Sequence, residues 1–119
     1  MKKRTIKIPL YKTDSNKGLT YVLEDKIPFK IKRVFIKYKF KNIGNHTNKI
    51  TNMGLLCLSG SIEVFIKKKG IKKKYILDDP SKLLFIYNNE WRRIVSLKKN
   101  TVVVFFASEK YLKNEYIYD

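Results

Sequence analysis

Apolar and polar residues alternate with a period of two along most of this 119-residue chain. A strand sends successive side chains to opposite faces, so the pattern is that of strands half buried against a core. Residues 5–8 alternate and stop at Pro9. Asp14-Ser15-Asn16-Lys17-Gly18 is a turn cluster, and residues 19–23 read as the next strand. Residues 30–40 alternate well, and residues 54–58 form a short buried run around Cys57. Residues 61–66 and 74–77 flank a lysine-rich tip, which predicts a hairpin. Residues 83–87 and 91–95 follow, parted by Asn88-Asn89-Glu90. Residues 101–107 are almost wholly apolar and β-branched, as in a central strand. Residues 41–52, rich in Asn, Thr and Gly, read as an irregular loop, and the tail from Tyr111 carries no clear period.

Eight or more short strands, with turn signals roughly every 8–12 residues, predict an all-β sandwich or jelly roll. The rhythm of strand pair then turn, with Gly60 between two tight strands, fits a cupin-type jelly roll, a double-stranded β-helix. The length supports one domain, residues 1–119. With 44% hydrophobic and 13% aromatic residues, the chain carries enough apolar surface for a core and is no disordered polycation. No apolar run reaches the ~18 residues of a spanning helix. The basic start, Met1-Lys2-Lys3-Arg4, lacks the apolar stretch of a signal peptide, and a lone cysteine suits a reducing compartment. A cytoplasmic location, away from any membrane, is therefore expected.

The net charge is +17, but only Arg4, Arg33, Arg92 and Arg93 of the 27 cations are arginine. Arginine is the preferred reader of bases and phosphates, because its planar fork matches them. Most lysines alternate with apolar residues or crowd turns, as in Lys67-Lys68-Lys69-Gly70-Ile71-Lys72-Lys73-Lys74. That distribution suits solvated strand faces and hairpin tips more than a nucleic-acid interface. A basic β-domain that binds RNA or DNA stays open as the reading carried by charge alone, and part of the excess is expected to attract a phosphate-bearing ligand.

His46 is the only histidine. It stands in Gly44-Asn45-His46-Thr47-Asn48-Lys49, between two strand-like runs. An imidazole titrates near neutrality, so His46 is a candidate for proton transfer, although an inert surface turn would look the same. One histidine and one cysteine make no ordinary metal site. No nucleophile elbow, phosphate-cradling glycine loop or dinucleotide fingerprint is present. What remains is metal-free acid–base chemistry or binding without chemistry, with no cofactor called for. Trp91, flanked by Glu90, Arg92 and Arg93, is either a stacking platform with an arginine for a phosphate or a core tryptophan. Tyr38 is either an acid or a rim residue.

The stretch Ile27-Pro28-Phe29-Lys30-Ile31-Lys32-Arg33-Val34 resembles the early strand of the dTDP-sugar 3,4-ketoisomerase cupins, of the FdtA, QdtA and WxcM type. Further matches follow in order. Gly44 to Lys49 is similar to the family's Arg-Gly-x-His-Ala-His-Lys; Cys57-Leu58-Ser59-Gly60-Ser61, Leu77-Asp78-Asp79-Pro80, Trp91, Ala107-Ser108, Tyr111 and Tyr116-Ile117 come after it. They cover about residues 14–119. The resemblance implies a metal-free homodimer acting on a dTDP-4-keto-6-deoxyhexose in deoxysugar synthesis for a surface polysaccharide. It implies that His46 carries a proton between C3 and C4. Tyr38 and Asn48 join it as catalytic candidates, and Arg33, Lys49, Trp91 and Arg92 are the substrate-binding candidates.

The chain departs from that pattern at telling positions. The second motif histidine is Asn48, the opening arginine is Ile43, a downstream glutamine is Met53, and two tyrosines are Phe35 and Ile36. The loop before the histidine is also shortened. Asn48 exchanges hydrogen bonds but does not titrate. The same resemblance therefore also admits a slow isomerase, one of altered substrate, or a silent sugar-nucleotide-binding or scaffold protein.

Overall fold

The computed structural model describes residues 2–14, 16 and 18–118. Its strands are β1 (Thr5–Lys7), β2 (Leu10–Asp14), β3 (Gly18–Tyr21), β4 (Arg33–Tyr38), β5 (Asn42–Asn48), β6 (Met53–Ser59), β7 (Ile62–Lys68), β8 (Ile71–Leu77), β9 (Lys82–Ile86), β10 (Trp91–Ser96), β11 (Val102–Ala107) and β12 (Tyr116–Ile117). They form two antiparallel five-stranded sheets, ordered β1-β9-β6-β11-β4 and β12-β5-β10-β7-β8. β2 and β3 make a separate hairpin. The two sheets face each other as the expected jelly roll.

Alternation sets what lies between them. Leu55 and Cys57 of β6, Val103 and Phe105 of β11 and Leu84 of β9 meet Ile62, Val64 and Ile66 of β7 and Ile94 of β10 in one core. The near-continuous apolar run of β11 is central in its sheet, as its sequence indicates. A second, smaller core lies on the outer face of the first sheet. There Leu83 and Phe85 are covered by Ile6, Ile8, Leu23, Ile27 and Phe29 of the N-terminal segment. That cover stops short of β4, where Val34, Ile36 and Tyr38 stay 55%, 57% and 60% exposed.

Two sequence expectations need correction. Residues 42–48 are not loop but strand β5, paired on both sides by β10 and β12. Tertiary pairing overrides the weak strand preference of Asn and Gly there. The first strand stops before Pro9, as expected, and a strand with no counterpart in the sequence reading, β2, begins at Leu10. The strand expected over residues 19–23 ends at Tyr21, and Ser15 and Lys17 of the expected turn lie outside the described residues. The lysine-rich hairpin is as expected but longer. β7 and β8 run to a two-residue turn, Lys69-Gly70, both with positive φ (51° and 80°), the type I′ geometry that suits the strand twist.

The N-terminus is clasped to the sandwich by a buried ion pair. Arg4 donates from Nη1 to Glu90 Oε1 and from Nη2 to Oε2, both at 2.6 Å. It also donates to the Phe85 carbonyl at 2.9 Å, and the Tyr87 N–H donates to Glu90 at 2.8 Å. The Glu90 side chain is 0% exposed. Burial pushes its carboxyl up, but Arg4, the Tyr87 N–H and Lys68 outweigh that and hold it below the usual range. Its stabilising contribution is present above the ordinary carboxylate pKa and is lost as pH falls through the depressed folded value. Arg4→Ala leaves a buried carboxylate without its main partner, and we expect a loss of about 3 kcal/mol in urea unfolding at pH 7. The penalty shrinks when the measurement is repeated in acid.

Candidate active site

The site is built on a fault in β5. Across the β5–β10 ladder Arg92 faces His46, but Arg93 faces Gly44, so Asn45 has no partner on β10. This β-bulge is made by Gly44 (φ 93°) and Asn45 (φ 59°), two positive-φ residues in a row. Glycine is required at position 44. A Cβ there would sit 2.9 Å from the Arg92 carbonyl oxygen, on a backbone that side chains rarely accept. The extra residue switches the inside–outside parity of the strand. Ile43 and His46, three apart, therefore line the same cavity, with Asn48 buried further along that face.

The cavity measures about 340 Å³, within the range of small-molecule clefts. β4 contributes Phe35 and Lys37, β11 contributes Phe105, and β10 contributes Arg92 and Ile94. Phe35 and Phe105 stack at 4.5 Å with an interplanar angle of 3° and form an apolar wall. Met53 at the head of β6 also lines it. Tyr116 and Tyr118 arrive from the tail, because β12 pairs with β5 through Tyr116–Asn48 and Ile117–Thr47. Their rings lie 4.6 Å and 5.6 Å from the His46 ring. Glu115 anchors that tail. It accepts the Ile50 N–H at 3.0 Å, the Thr51 N–H at 2.9 Å and the Thr51 hydroxyl. Burial raises the Glu115 carboxyl, but the Thr51 and Ile50 donors prevail and keep it low.

His46 Nδ1 lies 2.9 Å from the Gly44 carbonyl oxygen. A carbonyl only accepts, so in the neutral ring Nδ1 carries the hydrogen and Nε2 keeps its lone pair. Burial lowers the His46 pKa most, the Gly44 carbonyl opposes it, and the Arg92 charge lowers it further. At neutral pH the ring is thus a free base. Arg92 is 3% exposed, and burial pushes its pKa down to about 10, which leaves it a cation at neutral pH. Among the described residues it reaches only the Glu90 carbonyl, at 3.3–3.4 Å, and the Met53 sulfur at 3.8 Å, and it has no ion pair. A buried, weakly satisfied guanidinium on a cavity wall is a receptor for an oxyanion. Asn48 is fully buried. Among the described residues neither amide atom has a hydrogen-bond partner. Among the described residues no group of three or more His, Cys, Asp or Glu stands ready to hold a metal ion.

Of the residues singled out from sequence, His46, Asn48 and Arg92 come together here. Arg33 lies beside the Phe35 wall, its guanidinium 5.0 Å from that ring and 5.9 Å from the Tyr111 ring, with Nε and Nη2 buried and unpaired. Tyr38 faces out from β4 beneath Lys39, Trp91 faces out from β10 beneath Lys67, and Lys49 lies along a shallow cleft with Ile50 and Leu112. The period of two already separates these residues. Arg33 and Tyr38 are five apart on one strand, and Trp91 and Arg92 are neighbours, so neither pair shares a face. The same rule, applied to β4, yields Phe35 and Lys37. Tyr116 enters the sequence reading only within the family match and Tyr118 carries no local signal; both reach the site through the pairing of β12.

The family described as FdtA: WxcM-like, C-terminal, matches residues 1–119. The chain belongs to that family. A TDP-4-oxo-6-deoxy-alpha-D-glucose-3,4-oxoisomerase of Aneurinibacillus thermoaerophilus, a relative of this FdtA-type chain, is 32% identical over 108 residues, spanning 87% of this chain and 78% of its own. A 3,4-ketoisomerase from Helicobacter canadensis superposes with a TM-score of 0.89 at 31% identity, covering 98% of this chain and 90% of that one. QdtA, a sugar 3,4-ketoisomerase from Thermoanaerobacterium thermosaccharolyticum solved with TDP, superposes at 0.84 with 31% identity, covering 100% and 90%. In this FdtA-type cupin the lone imidazole is a direct reporter. Its proton resonances in an NMR pH titration are expected to move at a pKa below about 6.5, the ordinary imidazole value. In Arg92→Met, with the neighbouring cation gone, the midpoint moves up.

Proposed function

We propose that this protein is a sugar-nucleotide 3,4-ketoisomerase acting on a TDP-linked 4-keto-6-deoxyhexose, with His46 as its base. The observation that carries the reading is the held tautomer. Nδ1 is committed to the Gly44 carbonyl, and the ring lines a cavity of ligand size. The likeness to ketoisomerases over nearly the whole chain supports the substrate class.

The C4 ketone acidifies the C3 hydrogen. His46 Nε2 takes that proton, and the electron pair of the C3–H bond forms the C3–C4 double bond of an enediolate whose charge rests on the C4 oxygen. Arg92 faces that charge. The C3 hydroxyl proton passes to the C4 oxygen, and the imidazolium returns its proton to C4. The product carries a C3 ketone and a C4 hydroxyl, with atoms and charge unchanged. Asn48 does not titrate, so one imidazole serves both carbons from one face of the ring. Arg33 and Lys37 stand nearby as cations for the diphosphate. We assign no contact with substrate to Tyr38, Trp91 or Lys49.

Incubation with TDP-4-keto-6-deoxyglucose in heavy water is expected to give a 3-keto product carrying solvent deuterium at C4. In His46→Ala the rate falls on the order of 10²–10⁴-fold. Only the neutral ring is a base, so kcat/KM falls on the acid side of the depressed His46 pKa and is level above it. No exchange by the wild-type protein would remove the assignment. A second reading, a silent relative that binds the nucleotide sugar, is favoured by the apolar Ile43 and Met53 and the non-titrating Asn48 on the cavity side of the sandwich; it predicts saturable binding without exchange.

The enzyme is proposed to act as a cytoplasmic homodimer supplying a deoxysugar for surface polysaccharide. The uncovered stripe of Val34, Ile36, Tyr38 and Leu58 supports the dimer, since apolar faces of this kind are ordinarily buried by a partner. Ile36→Lys is expected to shift the mass in light scattering from two chains to one.

A further inference from the structure

The sandwich is open along two edges, and only one of them holds the His46 cavity. At the other, between β8 and the N-terminal segment, lies a second cavity of about 380 Å³. It shares no lining residue with the first, and Ile66, Val64 and Ile94 of the core lie between the two edges. Lys2, Lys68, Lys69 and Lys73 surround it, Arg4 forms part of its wall, and Tyr75 supplies an aromatic surface.

Five cations thus border one concavity, and two of them, Arg4 and Lys68, meet the Glu90 carboxylate. That group is already held by both nitrogens of Arg4, with Lys68 at 3.8 Å. Lys69 and Lys73 have no ion pair among the described residues. The hairpin geometry enforces the crowding. The register places Lys68 opposite Ile71 and Ile66 opposite Lys73, so Lys68 and Lys73 stand on one face of the hairpin. Charges of one sign crowded around a concavity repel each other and focus a positive potential outward. A compact polyanion relieves the repulsion, and the Tyr75 ring offers a flat apolar contact beside it. Solvated hairpin tips spread their lysines, whereas here three hairpin lysines and Lys2 border one cavity.

We propose that this cavity is a second binding site, for the di- or triphosphate group of a small molecule, separate from the His46 cavity and independent of its chemistry. The test is calorimetric titration of the full chain with inorganic pyrophosphate at low salt. Binding is expected to weaken at least tenfold in the double variant Lys69→Ala/Lys73→Ala, which leaves the Lys68–Glu90 pair in place, and to be unchanged in Arg92→Met. Pyrophosphate should raise the Tm of the wild type and leave that of the double variant in place, because a ligand stabilises the state that binds it. With two repelling lysines gone, the double variant should melt no lower than the wild type in the absence of ligand, and its isomerase rate should be unchanged. TDP binding more tightly than pyrophosphate to the lysine site, with thymidine binding there not at all, extends the assignment to nucleotides. Equal titration of both proteins, or a loss seen only in Arg92→Met, overturns the proposal. So does a duplex oligonucleotide that binds the same lysines more tightly than pyrophosphate does, since it would mark an extended polyanion surface instead.

Discussion

The geometry of the site rests on a single extra residue in β5. A regular strand sends residues 43 and 46 to opposite faces. The bulge at Gly44 and Asn45 brings both to the inside, and the absent side chain at Gly44 lets the Arg92 carbonyl approach. The Gly44 carbonyl then accepts from His46 Nδ1. One backbone irregularity therefore aims the imidazole, fixes its tautomer and sets it beside a buried cation. The tail completes the arrangement, held by a carboxylate that satisfies two backbone N–H groups and a hydroxyl.

Much of the fold was legible in the sequence, because burial on one face of each sheet writes itself as alternation. β7 announces itself in that way, β6, β9 and β11 as short apolar runs, and β10 as the run that follows Asn88-Asn89-Glu90. β5 does not, and the reason is physical. A bulge breaks the period, and Asn, Gly and Thr carry no apolar signal even where β10 and β12 pair with them on both sides. The candidate site was half legible. His46 stands out as the only titrating group near neutrality, and Asn48 and Arg92 follow from the motif and from charge. Tyr38 and Trp91 lie outside the cavity because strand parity turns them outward on β4 and β10, and Lys49 lies outside it past the end of β5. Tyr116 and Tyr118 depend on a pairing between residues far apart in the chain, which no local pattern encodes.

Electrostatics divides the molecule. The His46 cavity is mostly aromatic and aliphatic, with Arg92 as its one buried charge, so a cation there acts across little screening solvent. The opposite edge is open and rich in lysine, with its charges on flexible stems. The Arg4–Glu90 clasp lies near both. Glu90 offers its side chain to Arg4 and its backbone carbonyl to Arg92, so one residue at the head of β10 touches the electrostatics of each edge.

The bulge also determines what kind of change β5 can absorb. Replacing a letter in it alters one contact. Removing Asn45 would invert the register of everything on its N-terminal side, turning Ile43 outward and detaching Gly44 from its place opposite the β10 backbone. The strand is thus more sensitive to its length than to its spelling, and a one-residue deletion there is a deeper injury than most substitutions in the cavity wall.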